Sequence, residues 1–544
     1  MKKIINTVFI VAGFASATMA LNSCSDSLDI EQAGQLEAED LYTNVTNLNN
    51  TLLGNVYGKM DGLEEIYFSA VITDEVAQSL IGSGGQNWDL FRHFLNPASE
   101  LVNGGDMSNL STPGLWLKHY NIINNINRLL EGAKNITPTT AAEQTQYNQI
   151  LAQARAARAY SYVVLETYFS TDMKNPNALG VMLVKDVPSV DAKLPRATNQ
   201  EVYDFINADL DYARNILPVN ATERFRITKL FVNALTARFN LYRGNIPLAK
   251  QYAQEVINTS GLTLTQGQPN TGTNTYSGVA SGAYSTANTA TPQSAVWNQS
   301  FFGGSTSGNG NGLLGSFNPY RNMWADRERG EVIFALNRLV LGAGQATGSL
   351  WAANGSIVTG SPMWLWSENL KNLFFVNGDV RKYAYMDPSS YPYLGNGYYV
   401  IDKYPGKANT TSRNDVKVFR LSEMKFILAE CEVAQNNLTG AQALIQEVRT
   451  ARRIHGTAIT PVYTNNQLAY ADILKERRIE LALEGHRYID LKRLATAAGV
   501  TMDRNAVDDE VPVTNLPNDS YKYTMPIPIR EISANPNIQQ NPGY

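Results

Sequence analysis

Residues 228–258 read TKLFVNALTARFNLYRGNIPLAKQYAQEVIN, two helices and the turn that joins them. Thr228 can cap the first helix, which apolar spacing carries from Leu230 to Tyr242. Gly244 stops it, and Pro247, whose fixed φ suits a first helical turn, opens the second from Leu248 to Asn258. Ala234, Ala237, Ala249 and Ala253 let the two helices approach closely, while Tyr242 and Tyr252 fill the groove. A second unit has the same form: a helix over Ile427 to Gln435, the turn Asn436-Asn437-Leu438, and a helix over Ala441 to Arg452. Upstream, Trp116, Tyr120, Ile123, Ile126, Asn127 and Leu130 recur at three-to-four spacing and predict a helix over 116–130. Ile150, Ala154, Ala157, Tyr160, Ser161, Val164 and Tyr168 line one face of another over 144–169, and a third over 200–217 ends at Pro218. The chain is mainly α.

Both units resemble tetratricopeptide repeats, although the consensus Trp is absent and the units stand far apart. Between them the composition changes. From Val256 to Tyr320 there is no Asp, Glu, Lys, Arg or His, and Leu339 to Ser367 is again free of charge. Disordered tracts are charged and poor in aromatics, whereas Trp297, Trp324, Trp351, Trp364 and Trp366 all fall between residues 297 and 366. The expected organisation is a tetratricopeptide-like helical-pair scaffold over 40–260 and 418–544 with a large irregular, loop-rich insertion over 261–417. Stacked helix pairs present a surface to other molecules.

A surface rich in aromatics and free of charge suits a neutral polyhydroxylated ligand. Sugar rings stack a C–H face on indole and phenol rings, and Asn, Gln, Thr and Tyr meet the hydroxyls. Trp88 lies in Gly84-Gly85-Gln86-Asn87-Trp88-Asp89, a turn-rich run with no apolar period, so ligand contact explains it better than packing. Gln86, Asn87 and Asp89 are the polar candidates beside it, and Trp297, Tyr320 and Trp324 are the candidates from the insertion.

The N-terminus runs Met1-Lys2-Lys3, the apolar Ile4 to Leu21, then Asn22-Ser23-Cys24, which has the layout of a secretory signal peptide over 1–23. Leu21-Asn22-Ser23-Cys24 resembles a bacterial lipoprotein cleavage box, which implies acylation of the Cys24 thiol and a membrane anchor. Residues 24–39, with Asp26, Asp29, Glu31, Glu37 and Glu39, form an acidic tether. Beyond the leader no apolar run reaches the ~20 residues of a membrane helix. A net charge of −4 gives no electrostatic case for nucleic acid. Cys431 then has no disulfide partner and reads as a buried thiol.

Glu476, Glu480 and Glu484 stand four apart on one predicted helix, and a glycosidase needs two carboxyls. Arg477, Arg478 and Arg487 among them would lower their pKa values, which disfavours a general acid and favours an ion-pair network. His93, His119, His455 and His486 show no zinc spacing, and no phosphate loop, dinucleotide fingerprint or nucleophile elbow occurs. No enzyme activity, cofactor or metal is expected.

Several further segments are similar to those of the SusD/RagB family of outer-membrane glycan-binding lipoproteins. Leu41-Tyr42 with Leu52-Leu53-Gly54-Asn55-Val56-Tyr57 is like the family's opening helix, and Thr73-Asp74-Glu75-Val76 with Gly84 to Trp88 is like its Ser-Asp-Glu and Arg-Gly-Gly-x-x-Trp run. Glu476 to Arg493 and the tail from Pro526 to Tyr544 resemble its C-terminal signature. The resemblance implies a right-handed tetratricopeptide-like scaffold, oligosaccharide or polysaccharide binding without catalysis, and delivery to a SusC-like TonB-dependent outer-membrane transporter. It maps Trp88 onto a sugar-stacking aromatic; Ser83 or Gly84 stands where the family often has arginine. The rival reading is a peptide- or protein-binding adaptor of an outer-membrane complex, with the insertion merely structural.

Overall fold

The computed structural model describes residues 42–78, 88–98, 114–267, 318–339, 346–351, 362–376, 378–386, 400–407, 410, 412–454, 456–508 and 515–544. The signal peptide, Cys24 and the tether lie outside them. So do Gln86, Asn87, Trp297 and the side chain of Trp88.

Helix α1 (Val45–Thr51) runs into a π-helical turn over Leu52–Tyr57, followed by α2 (Leu63–Ile72), strand β1 (Val76–Gln78) and the short α3 (Trp88–Phe91). The scaffold continues through α4 (Leu115–Ala133), α5 (Ala141–Phe169), β2 (Leu179–Met182), β3 (Arg196–Thr198), α6 (Asn199–Ile216), α7 (Lys229–Tyr242) and α8 (Ile246–Thr259). The central stretch supplies α9 (Pro319–Trp324), β4 (Val332–Leu336), β5 (Trp364–Trp366), α10 (Glu368–Phe374) and α11 (Arg381–Ala384). Strand β6 (Val416–Arg420) returns to the scaffold, which closes with α12 (Leu421–Ala434), α13 (Leu438–Ala451), α14 (Asn466–Glu480), α15 (Arg487–Ala498) and α16 (Ile529–Ala534).

The fold is the mainly helical one expected, and each helix read from the periodicity is present within a few residues. Asn245 and Asn437 cap α8 and α13 by accepting from the backbone N–H three residues on. Thr228 holds the N-cap position of α7, but its side chain does not cap; the N–H of Lys229 donates to the Pro218 carbonyl instead. Between α7 and α8, Gly244 takes φ +80°, a conformation that a side chain would strain.

Helices α4, α5 and α6 pack in sequence order, as do α7 with α8 and α12 with α13. The two similar units, distant in sequence, stack on each other through α8 and α12. Lys250 pairs with Glu432 at 2.7 Å across that seam, and the Cys431 thiol faces the Ile246 carbonyl. Ala152, Ala154, Ala156, Ala157 and Ala159 of α5 are fully buried, which allows close approach on several sides. Among the described residues, three small antiparallel sheets accompany the helices: β1 with β5, β2 with β3, and β4 with β6.

Candidate functional site

The residues that precede the Trp88 run are firmly held. Strand β1 pairs with β5, Val76 opposite Trp366 and Gln78 opposite Trp364. Just before it, the buried Asp74 carboxylate accepts two parallel N–H bonds from Arg487, at 2.7 Å each, and one from the Asp503 backbone at 2.8 Å. Arg478 stands 3.4 Å away. Burial alone would raise Asp74, but Arg478 and Arg487 outweigh it and hold the carboxyl well below the usual range. Glu75 accepts from the Leu483 backbone N–H at 2.8 Å. The Asp-Glu pair near the N-terminus is thus latched to the arginines of the C-terminal signature.

On the far side of the 79–87 segment, α3 is fixed just as firmly. Leu90 and Phe91 are buried, the Phe91 ring lies 5.3 Å from that of Trp364, and the Arg504 guanidinium sits 4.0 Å from the Phe91 centroid. Arg504 also donates to the carbonyls of Thr73, Phe91 and Val71. His93 adopts φ +62°, and its Nε2 lies 2.9 Å from the Ile72 carbonyl. A carbonyl can only accept, so Nε2 carries the proton. Burial, with Arg504 nearby, pushes His93 down to about 3, so the ring is neutral.

That left-handed turn sends the next residue outward. Phe94 is 60% exposed, its N–H tied to the Asp89 carbonyl at 2.7 Å. Asp89 is itself exposed. Phe91 and Phe94, three apart, would share one face of a continuous helix; His93 breaks it, so one ring is core and the other faces water. No apolar period betrays this, so the sequence pattern does not single out Phe94.

Two of the insertion aromatics must be withdrawn from the site. Tyr320 and Trp324 are fully buried in α9. The Tyr320 hydroxyl lies 2.6 Å from that of Tyr385, and the Arg452 guanidinium lies 4.7 Å from its ring centroid. Around the Trp324 indole stand Lys403 at 4.2 Å, Lys417 at 5.0 Å and Arg420 at 5.2 Å from the ring. The cations around the Trp324 indole come from segments distant in sequence, and its faces are taken up by them. Trp351, Trp364, Trp366 and Trp116 are buried too.

The three glutamates expected on one helix divide: α14 ends at Glu480, and Glu484 lies in the turn beyond, where Leu483 takes φ +56°. Their partners also differ from those anticipated. Glu480 accepts from Arg420, Arg452 and Arg381 at 2.8 to 3.1 Å, Glu476 from Arg381 and Arg449, and Glu484 from Arg420 and Lys403. Glu331 joins through Arg420 and Arg452. Arg477 instead pairs with Asp490, while Arg478 and Arg487 serve Asp74. Burial would raise Glu476 and Glu480, but Arg381 with Arg449 lowers the first and Arg452 with Arg420 holds the second far down. Neither can act as a general acid.

Asp61, Glu64 and Glu65 bring carboxyl oxygens within 4.8 Å of one another. Lys118 Nζ bonds to all three, at 2.5 Å from Asp61 and 3.2 Å from Glu65, so an ammonium stands where a metal ion would sit.

Comparison with known proteins sets this geometry in context. A family model described as "SusD family" matches residues 367–544, and one described as "Starch-binding associating with outer membrane" matches 26–241. SusD-like protein P2 of Formosa agariphila is 25% identical over 557 residues, covering 98% of this chain and 99% of the relative. A SusD superfamily protein from Bacteroides thetaiotaomicron superposes with a TM-score of 0.67 at 20% identity, covering 92% of this chain and 100% of the other. A structure described as a laminarin-binding SusD-like protein superposes at 0.64 with 22% identity and the same coverage.

Proposed function

The chain belongs to the SusD/RagB family, and from that premise we propose that it binds a neutral oligosaccharide or polysaccharide at the cell surface and delivers it to a SusC-like, TonB-dependent transporter of the outer membrane. Cys24 is its lipid anchor and residues 24–39 its tether. Binding centres on Trp88, with Gln86, Asn87 and Asp89 meeting hydroxyls, Phe94 extending the stacking surface, and Trp297 contributing from the insertion. The chain acts without catalysis and needs no cofactor.

The single observation that carries this reading is an exposed Phe94 and Asp89 on an otherwise buried mount, beside the tryptophan that the family resemblance marks. The laminarin-binding relative of the same fold supports a glucan as a ligand to try. Shallow stacking sites yield ~4–8 kcal/mol, in the millimolar to micromolar range. In native gels containing laminarin or starch, wild type should be retarded, Trp88→Ala should run free, and Phe94→Ala should bind about tenfold more weakly, ~1.4 kcal/mol. Equal retardation of Trp88→Ala and wild type refutes the role of Trp88. Wild type that binds no glycan but captures the transporter would support the adaptor reading instead.

A further inference from the structure

Where the N-terminal and C-terminal parts of the scaffold meet, packing leaves a cavity of about 70 Å3. Its walls come from α2, α5, α7, β6 and the turn at Glu484, Gly485 and His486. The charged groups on those walls are already satisfied. Arg238 donates to both Glu423 oxygens, at 2.6 and 2.7 Å, and to the Val418 carbonyl; Glu65 accepts from Lys118 and lies 2.8 Å from His119 Nε2; Lys417 donates to Asp326 at 2.7 Å.

Three neutral groups on the same walls are not satisfied. The Tyr160 hydroxyl, the Tyr242 hydroxyl and the His486 imidazole make no hydrogen bond to any described residue, although only 7, 5 and 6% of these residues is exposed. Burial, with Arg238 and Arg477 near, holds His486 well below the usual histidine range, so its ring offers one donor and one acceptor. Burial likewise lifts Tyr242 to about 12, and the phenol stays protonated. Buried polar groups are rarely left unpaired, because each forfeits the hydrogen bonds it had in water.

We propose that this partly open cavity is a binding site for water: a small ordered cluster, hydrogen-bonded to Tyr160, Tyr242 and His486, that joins the two parts of the scaffold. The volume admits about five to seven molecules at roughly 10–15 Å3 each, and about two at the ~30 Å3 a molecule takes up in the liquid. Water matches the site where other small ligands do not. The unsatisfied groups both donate and accept and carry no charge, which favours neither a cation nor an anion. The paired Glu65 and Glu484 carboxylates on the wall repel an anion further. An apolar guest would leave all three groups unpaired.

The test uses the chain from residue 25 and the variants Tyr160→Phe, Tyr242→Phe and both together. A crystal structure at about 2 Å resolution should show at least two ordered waters in the cavity, within hydrogen-bonding reach of the two tyrosines and His486. A cavity without density, one filled by a rotated side chain, or an anomalous peak there after a bromide soak would overturn the proposal. Thermal melts give an independent reading whose sign discriminates. If water bridges these groups, removing both hydroxyls strands it and lowers the melting temperature. If the cavity is dry, the double variant removes two unpaired hydroxyls and melts higher, which contradicts the site.

Discussion

Replacing Asp74 tests whether the latch between the two ends of the chain holds the fold. The carboxylate is fully buried and faces Arg487 through two 2.7 Å bonds, with Arg478 at 3.4 Å; both arginine side chains are about 5% exposed. In Asp74→Ala both guanidiniums stay buried; Arg487 loses its paired carboxylate, and Arg478 keeps only the exposed Asp503 at 3.3 Å. Breaking a buried pair from one side costs about 3–5 kcal/mol, against the 0–1 kcal/mol of an exposed one. Asp74→Asn should cost less, about 2 kcal/mol, because the amide oxygen still accepts one of the Arg487 bonds. Urea unfolding of residues 25–544, followed by tryptophan fluorescence, reads these losses as shifts in midpoint at constant slope. A cycle with Arg487→Met should show the double variant less damaged than the sum of the singles by at least ~1 kcal/mol, because each single strands the other's charge. A loss below about 1 kcal/mol for Asp74→Ala, or strict additivity in the cycle, would show that the latch does not stabilise the fold.

Three further outcomes are expected. Burial, opposed by Arg196 and Lys492, raises Glu166 to about 8 from 4.5, so the native state keeps a proton that the unfolded chain releases. Its stabilising share is complete below pH 4.5 and disappears as pH rises through 8, so Glu166→Gln should gain on wild type in thermal melts across that interval; a constant difference would contradict the shift. Burial likewise lifts the Cys431 thiol to about 12, so a maleimide should label it at neutral pH only after denaturation; rapid labelling of the native protein would show the thiol accessible. Trp324→Ala should lose about 3–5 kcal/mol of stability while glycan retardation per folded molecule stays unchanged, whereas lost retardation in a fully folded variant would return the ring to the site.

What the sequence disclosed, and what it hid, follows from how far apart the interacting residues lie. The pairs α7 with α8 and α12 with α13 are local: period, caps and turn residues sit within about 30 positions, and the reading of 228–258 survives almost unchanged. The burial of Tyr320 and Trp324 is non-local. No window around α9 contains Lys403, Lys417, Arg420 and Arg452, so nothing local in the sequence shows that cations from distant segments surround the Tyr320 and Trp324 rings. The glutamates illustrate the middle case. That they form ion pairs was legible from their arginine neighbours, but Arg477 and Arg478 point elsewhere, because residues next to each other on a helix face different directions, and Arg487 belongs to the following helix. Phe94 was invisible for a different reason: the backbone of His93, not any side-chain pattern, decides which way it faces.

The same distances bear on how recognition can vary on a fixed frame. Glu331, Arg381 and Lys403 come from the central stretch, Arg420, Arg452, Glu476, Glu480 and Glu484 from the scaffold, and every one of them is buried or nearly so. In such a lattice each partner removed strands a charge on another segment, so single changes are costly and the whole set tends to persist together. Asp89 and Phe94, by contrast, take no part in it. Their side chains face solvent while the mount beneath them is held by Arg504, His93 and the Asp74 latch. Substitutions at such positions should have little effect on stability, since nothing buried depends on them. The frame is costly to alter and the exposed rim is not, so the rim can change while the frame persists.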